Sequence, residues 1–456
     1  MNKRWRVNAL SLALILIAAP ALAQVRGFDE IANEYVTAAL SSNLSLQSQD
    51  LQVEHALTAL DAARARFWPE LSMNARYTVS QGGRSIEFPI GQLLNPVYST
   101  LNQMLQAQGQ PVRFGTVSDQ SFAFQRPHEQ DTHVSLRQPL YQPAIPAAVT
   151  AQRELLSSEQ FARLALSRQL RRDVTVAYAR YLQALDAERI AQATVVLLEE
   201  NQRVLDSLYR NGRVTQDQLL RAKAEALNAT QQTVAAASAV SSAAYYVNFL
   251  LNRPLAQPLE AALVGSMLMD SAATQSTRPE LLQLDALNRA AEAQLRVARA
   301  ALGPQLALGV DAGTQGEQYR LGSGYNYVAA SLVLSWKFFD GGANRAAVSD
   351  ARLTARRTAL AREQMAQRVA LETRQASDQL ATARSALVAA TAVEQAASAA
   401  RRIAQRKRDE GSISQTEFLD AHTAAVSAES NLNIARFALL QSRAELAYAN
   451  GQDETP

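Results

Sequence analysis

The chain has 456 residues, 48% of them hydrophobic but only 6% aromatic, with no cysteine. It is long enough for about two to four ordinary domains, yet too poor in rings for a large aromatic core. The missing cysteine excludes disulfides, thiolate nucleophiles, cysteine metal sites and a cysteine-linked lipid anchor. Setting aside Lys3, Arg4 and Arg6 of the first segment leaves 45 − 3 = 42 basic residues against 42 acidic ones. In a neutral chain the calculated pI of 9.1 is weak evidence for nucleic-acid binding.

Residues 1–23 read as a secretory signal peptide. Lys3, Arg4 and Arg6 form its charged start, Ala9 to Ala19 its apolar stretch, and Ala21-Leu22-Ala23 a small-x-small cleavage site. An uncleaved anchor is the alternative, but the apolar stretch is short of the about 20 residues that span a bilayer. No later stretch is more apolar, so a route into a membrane would be a β-barrel.

The remainder, residues 24–456, is written twice. Arg64 to Leu71 matches Arg299 to Leu306, Leu140-Tyr141-Gln142-Pro143 matches Phe338-Phe339-Asp340-Gly341, and Asn211 to Thr215 matches Glu410 to Ser414. The matches keep one order in both halves, which marks an internal repeat. Repeat one covers about residues 29–252 and repeat two about 279–450. Each half reads helix, two strands, long helix, tight turn, helix.

Pro69 and Pro304 end the first helix of each half, since proline breaks a helix and pushes the residue before it towards extended backbone. Strands are predicted at about residues 70–80, 131–141, 305–315 and 326–339. In the first, Leu71, Met73, Ala75, Tyr77 and Val79 share one face and Ser72, Asn74, Arg76, Thr78 and Ser80 the other. Val328, Ala330, Leu332, Leu334, Trp336 and Phe338 alternate likewise in the last. Such strands have one greasy and one wet face, as in a membrane barrel or a soluble sandwich. Trp68, Tyr141, Trp336, Phe338 and Phe339 lie where strand meets helix. Rings at that level suit a membrane–water interface; ordinary core aromatics are the alternative.

Residues 81–130 form an insertion peculiar to the first half, punctuated by Gly82-Gly83, Gly91, Pro96, Gly109 and Pro111. It reads as a large outer loop with a short amphipathic helix through Leu94, Val97, Leu101 and Met104. His128, Glu129, Asp131 and His133 could be imagined as metal ligands, but a solvated loop fixes no such geometry; no metal or other cofactor is expected.

Two runs without a helix breaker follow, from about Ala144 to Arg210 and from Gly342 to Glu410. Each has about 65 residues, close to 100 Å at 1.5 Å per residue. Leu170, Val174, Ala177 and Tyr181, and Ala376, Leu380, Ala383, Leu387 and Ala390, step by fours and threes, a coiled-coil seam. Both runs end at a glycine, Gly212 or Gly411, which can take the left-handed conformation that stops a helix. Thr215 and Ser414 are placed to cap the next helix. Residues 253–278, with Pro254 and Pro258, read as a connector.

No nucleophile elbow, phosphate loop or dinucleotide fingerprint is present, so the chain reads as a non-enzyme. The informative charges are Glu417 and Asp420, three apart at the start of the last helix, where repeat one has Gln218 and Arg221. They are either acids favoured at a helix start or, in a threefold assembly, carboxylate rings that select cations. Arg401, Arg402, Arg406, Lys407 and Arg408 before that turn are a solvated face or contacts that hold the tip.

The paired halves, the Phe338-Phe339-Asp340-Gly341-Gly342 junction and the tip from Gly411 to Ala421 resemble the TolC family of outer-membrane channel proteins. The resemblance covers about residues 29–451. It implies a mainly α fold with a small β part, in which long antiparallel helical hairpins form an α-helical barrel continued into a transmembrane β-barrel. It implies a homotrimer in the outer membrane of a Gram-negative bacterium, contacting outer-membrane lipid and reaching through the periplasm. The function implied is the exit duct of a tripartite efflux or type I secretion system. A periplasmic adaptor and an inner-membrane pump, ABC or proton-driven, would dock at tips Gly212-Arg213-Val214-Thr215 and Gly411-Ser412-Ile413-Ser414. The family's constriction acids fall on Glu417 and Asp420. Its tethering arginine falls on Ile413, so that contact is not carried over. The other class of function is a periplasmic adaptor or coiled-coil scaffold, which would have a single hairpin and β-rich flanking domains.

Overall fold

The computed structural model describes residues 26–262 and 277–451. The expected signal peptide, residues 1–23, and part of the connector lie outside them. Among the described residues no helix is long and apolar enough to cross a membrane.

The repeat is visible in helix lengths. Helices α2 (Leu44–Ala65) and α6 (Pro279–Ala300) have 22 residues each. Helices α4 (Ala144–Arg210) and α7 (Ala343–Asp409) have 67 each. Helices α5 (Gln216–Leu250) and α8 (Gln415–Ala449) have 35 each. Pro146 sits in the first turn of α4, where its missing N–H has no partner to lose. Helix α1 (Phe28–Ser42) has no counterpart among the described residues of repeat two. It stops at Asn43, whose side-chain oxygen accepts from the Ser45 and Leu46 amides at 3.0 and 3.3 Å and so starts α2.

The chain divides into two compact units: Met1–Gln52, Glu159–Gln283 and Glu363–Pro456 form one, Val53–Ser158 and Leu284–Arg362 the other. In the first, Tyr178 of α4 is fully buried, stacked on Phe28 and edge-on to Tyr35. Ile31, Val36, Val174, Val247, Leu251, Phe437 and Leu440 complete this core. Of the expected seam residues, Leu170, Val174, Ala177, Tyr181, Ala376, Leu380 and Ala383 are buried, while Leu387 and Ala390 are half-buried. Helices α4 and α1 are tied to the connector, where Tyr178 donates to the Glu260 carbonyl and the Glu260 amide to the Tyr35 hydroxyl, each at 2.9 Å.

The second unit holds a four-stranded antiparallel sheet, ordered β1 (Glu70–Val79), β4 (His128–Tyr141), β5 (Gln305–Gly316), β6 (Asn326–Ser335). The register aligns the alternation of all four strands. Leu71, Leu136, Val310 and Ala330 form one cross-strand row and Met73, Val134, Ala312 and Val328 another, on the same face. The opposite face carries Ser72, Ser135 and Asp311 in one row and Arg76, Asp131 and Gln315 in another. There Ser135 donates to Asp311 at 2.6 Å, and Asp131 takes His133 Nδ1 at 3.0 Å and the Tyr327 hydroxyl at 3.2 Å.

Two expectations are corrected here. The segment from His128 to His133 is strand, not solvated loop, because Val79 to Asn74 of β1 supply it with partners. Its side chains alternate between faces, and no group of three or more metal-ligating residues occurs among the described residues. The last strand ends at Ser335 rather than 339. Ser335 pairs with Gln305, and the preceding Pro304 has no N–H with which to extend the ladder.

The insertion has more structure than a loop. Strands β2 (Ser85–Phe88) and β3 (Gln120–Ala123) pair antiparallel, and α3 (Ile90–Ala107) runs through Pro96.

Candidate functional site

The two hairpin tips belong to the first unit and share one geometry. Gly212 and Gly411 have φ of 67° and 71°. The amides of Gly212 and Arg213 bond the carbonyls of Tyr209 and Leu208, both at 2.9 Å; those of Gly411 and Ser412 bond Arg408 and Lys407 at 2.9 and 2.7 Å. This double bond pattern closes the last helical turn and needs a left-handed residue at its centre, which a side chain would strain. Arg213, Thr215, Ser412 and Ser414 are exposed, Val214 and Ile413 half-buried.

The helix starts differ. Ser414 makes a full capping box with Glu417. Thr215 has the extended backbone of a cap residue but makes no side-chain cap bond, contrary to expectation. Asp217 in that first turn supplies the negative charge that a helix start favours. Glu417 and Asp420 are both exposed on α8. Glu417 is engaged within its own turn, whereas Asp420 makes no hydrogen bond or ion pair among the described residues.

Behind this tip lies a cluster that the sequence reading passed over. Phe418, His422 and Ala425 are buried on one stripe of α8, with Phe418 only 1% exposed. The Arg408 guanidinium lies 4.1 Å from the centre of the Phe418 ring, a cation–π contact. His422 stacks on Phe418, and neither ring nitrogen has a hydrogen-bond partner. Burial, then the charge of Arg401, push the His422 pKa down. Gln415 donates to Asn201 of α4. The spacing of Phe418, His422 and Ala425 was the available signal.

Elsewhere in this unit Arg278 makes bonds of 2.7 and 3.2 Å to Glu280 and one of 2.6 Å to Glu372. Arg172 and Arg278 both lie against the Tyr448 ring, 4.5 and 4.7 Å from its centre. This network fastens the start of α6 to α7 and α8.

In the second unit, the expected interface aromatics collect at one end of the sheet. Trp68 precedes β1, Tyr141 ends β4, and Trp336, Phe338 and Phe339 follow β6. They are exposed, Phe338 and Phe339 by 82% and 89%, so they are not core rings of this chain. Trp336 packs on Phe338 at 4.6 Å and donates its indole N–H to the Leu302 carbonyl at 3.0 Å.

Residues 272–452 match the family described as outer membrane efflux protein. The first half of the chain repeats the helix and strand order of the matched half. No curated relative matches the chain. Among solved structures, the Campylobacter jejuni CmeC outer membrane channel is 17% identical with a TM-score of 0.79, over 99% of this chain and 94% of that one. The open-state MtrE outer membrane channel of Neisseria gonorrhoeae is 19% identical with a TM-score of 0.75, over 99% and 98%. A membrane protein from Pseudomonas aeruginosa is 20% identical with a TM-score of 0.76, over 95% and 98%.

The chain thus has the TolC-like fold of these outer membrane channels, and its second repeat carries the efflux-protein match. The adaptor reading does not fit, because the chain has two hairpins in a repeat and a four-stranded sheet rather than one hairpin between β-rich domains.

Proposed function

We propose that three copies close one twelve-stranded barrel and form the exit duct of a tripartite efflux system. The observation that carries this reading is the sheet of the single chain. Strands β1 and β6 are its two edges, each with 10 residues, and its apolar face is exposed. Open edges of that length invite pairing with another chain, and closure into a barrel removes them. Met73, Val328, Leu332 and Leu334 then meet lipid, and Arg76, Asp131 and Asp311 line the water-filled side. The exposed rings Trp68, Tyr141, Trp336, Phe338 and Phe339 sit at the inner headgroup level.

The tips Gly212-Arg213-Val214-Thr215 and Gly411-Ser412-Ile413-Ser414 receive a periplasmic adaptor coupled to an inner-membrane pump. Glu417 and Asp420, repeated three times about one axis, form the cation-selective constriction. The reading is tested by the mass of the protein extracted in detergent from outer membranes. A trimer is expected, and a monomer that stays in water without detergent overturns it.

A further inference from the structure

Helix α3 is amphipathic the wrong way round for a water-exposed loop. None of its 18 residues is charged. Two of its polar side chains, Asn95 and Asn102, turn towards its own chain. Asn95 exchanges two hydrogen bonds with Val117, donating to the carbonyl at 2.9 Å and accepting from the amide at 2.8 Å. Asn102, two turns on, does the same with Phe114 at 2.7 and 3.1 Å. Asp119 caps the helix by accepting from the Gly91 amide at 2.9 Å. A side chain at Gly91 would put its Cβ 2.3 Å from the Val117 carbonyl oxygen, so the helix and its return segment are fitted closely. Tyr98 stacks on Phe114 at 5.2 Å.

These clamps leave an apolar stripe facing outwards. Ile90, Leu94, Val97, Leu101 and Met104 step by four, three, four and three, the spacing of a coiled-coil seam. Val97 is 52% and Met104 59% exposed, and Leu93 beside them is exposed too. A seam so spaced fits another helix. An interfacial helix that lies on lipid carries lysine or arginine on its polar face, and α3 has neither. The insertion grows from β1, an edge strand, at the end of the sheet away from α2 and α4. The Ser80 amide bonds the Pro127 carbonyl at 2.9 Å and carries the β1–β4 pairing outwards into it.

We propose that α3 is a self-association element: in the trimer its seam packs on the α3 seams of the other two copies, as a short three-helix bundle over the outer mouth of the barrel. The partner is a second copy of this chain, because an uncharged seam complements itself and because the insertion leaves the sheet at the edge where copies meet. The inference rests on the trimeric reading above.

A chain without native cysteine makes the test clean. Val97→Cys and Met104→Cys are prepared as single variants of the full-length protein, with Ser99→Cys, two residues on and about 200° round the helix from Val97, as the control. Each is oxidised in outer membranes, and its assembly is read separately by native mass in detergent. The expected result is a covalent dimer band for Val97→Cys and Met104→Cys and its loss for Ser99→Cys. A trimer in which neither seam variant cross-links, and in which both react with a lipid-soluble maleimide, overturns the bundle while leaving the trimeric duct intact. A monomer by native mass overturns both. If cysteine at one seam position prevents assembly, the other carries the measurement. Leu101→Asp in the assembled trimer supplies a second readout: opening of the mouth raises single-channel conductance, and unchanged conductance counts against the bundle.

Discussion

Ser414 and Glu417 hold each other at the start of α8. The Glu417 amide donates to the Ser414 hydroxyl at 3.2 Å, and the Ser414 amide donates to the Glu417 carboxylate at 2.9 Å. One carboxylate of the proposed gate is therefore already spent within its own helix turn, while Asp420 stands exposed three residues on. The two acids should divide their roles.

Asp420→Asn is expected to carry most of the loss of cation selectivity, read as the reversal potential of single channels in a salt gradient. Glu417→Gln keeps the capping geometry and adds a smaller loss. Ser414→Ala should lower stability by about 1 kcal/mol through the lost cap and leave selectivity near wild type. Unchanged selectivity in an assembled Glu417→Gln, Asp420→Asn double variant would return both acids to the plain role of helix-start residues.

At the tips, Val214→Asp and Ile413→Asp should abolish export without preventing trimer formation, because both side chains are half-open on turns that their glycines fix. Gly411→Ala should cost about 1–2 kcal/mol, since its φ of 71° puts a Cβ in the left-handed region. Drug accumulation assays beside native gels separate docking from assembly; full export by an assembled Ile413→Asp variant would remove the tip from the docking site.

His422 makes the second hairpin sensitive to acid. Its folded pKa lies below the usual 6.5, because burial and Arg401 disfavour the charged ring, with Glu429 opposing. The unfolded chain therefore binds more protons across that interval, and stability rises with pH. The stabilisation is complete above pH 6.5 and drains as the pH falls below it. Thermal unfolding from pH 8 to 5 should show a falling midpoint, and His422→Leu should flatten that slope. A parallel slope in the variant would acquit the histidine.

Breaking the Arg278 network should be costly. Arg278→Ala leaves Glu280, with a side chain 16% exposed, only the Tyr448 hydroxyl as a side-chain partner, while Glu372, 33% exposed, keeps its ion pair with Arg368. The expected loss is about 3 kcal/mol, the lower end for a broken buried pair because Glu372 still reaches water. Burial acts to raise the Glu280 pKa, but bonds from Arg278 outweigh it and hold the carboxyl below its usual range. The stabilisation it supplies is present above pH 4.5 and is lost as the pH falls through the lowered value. Denaturant midpoints of wild type and Arg278→Ala at pH 7 and pH 4 should converge on acidification; midpoints equally far apart at both would remove the ion pair as the cause.

The sequence by itself determined everything that follows from local chemistry and period. Two glycines ended the long helices, prolines stopped the shorter ones, and four-three spacing marked Leu170, Val174, Ala177 and Tyr181 as a seam. The repeat placed both tips and the aromatic junctions. Tertiary structure alone decided what depends on pairing. The register of β1, β4, β5 and β6 aligned four separate alternations into one apolar and one polar face, and gave the residues from His128 partners that made them strand. It buried His422 without a partner, spent Glu417 in a cap, and turned Asn95 and Asn102 inwards so that α3 presents its apolar seam outwards. The physical reason is that period and backbone preference are carried by residues near in sequence. Register, burial and side-chain pairing are set by residues up to hundreds of positions apart, such as Arg278 and Tyr448, which meet only when the chain is folded.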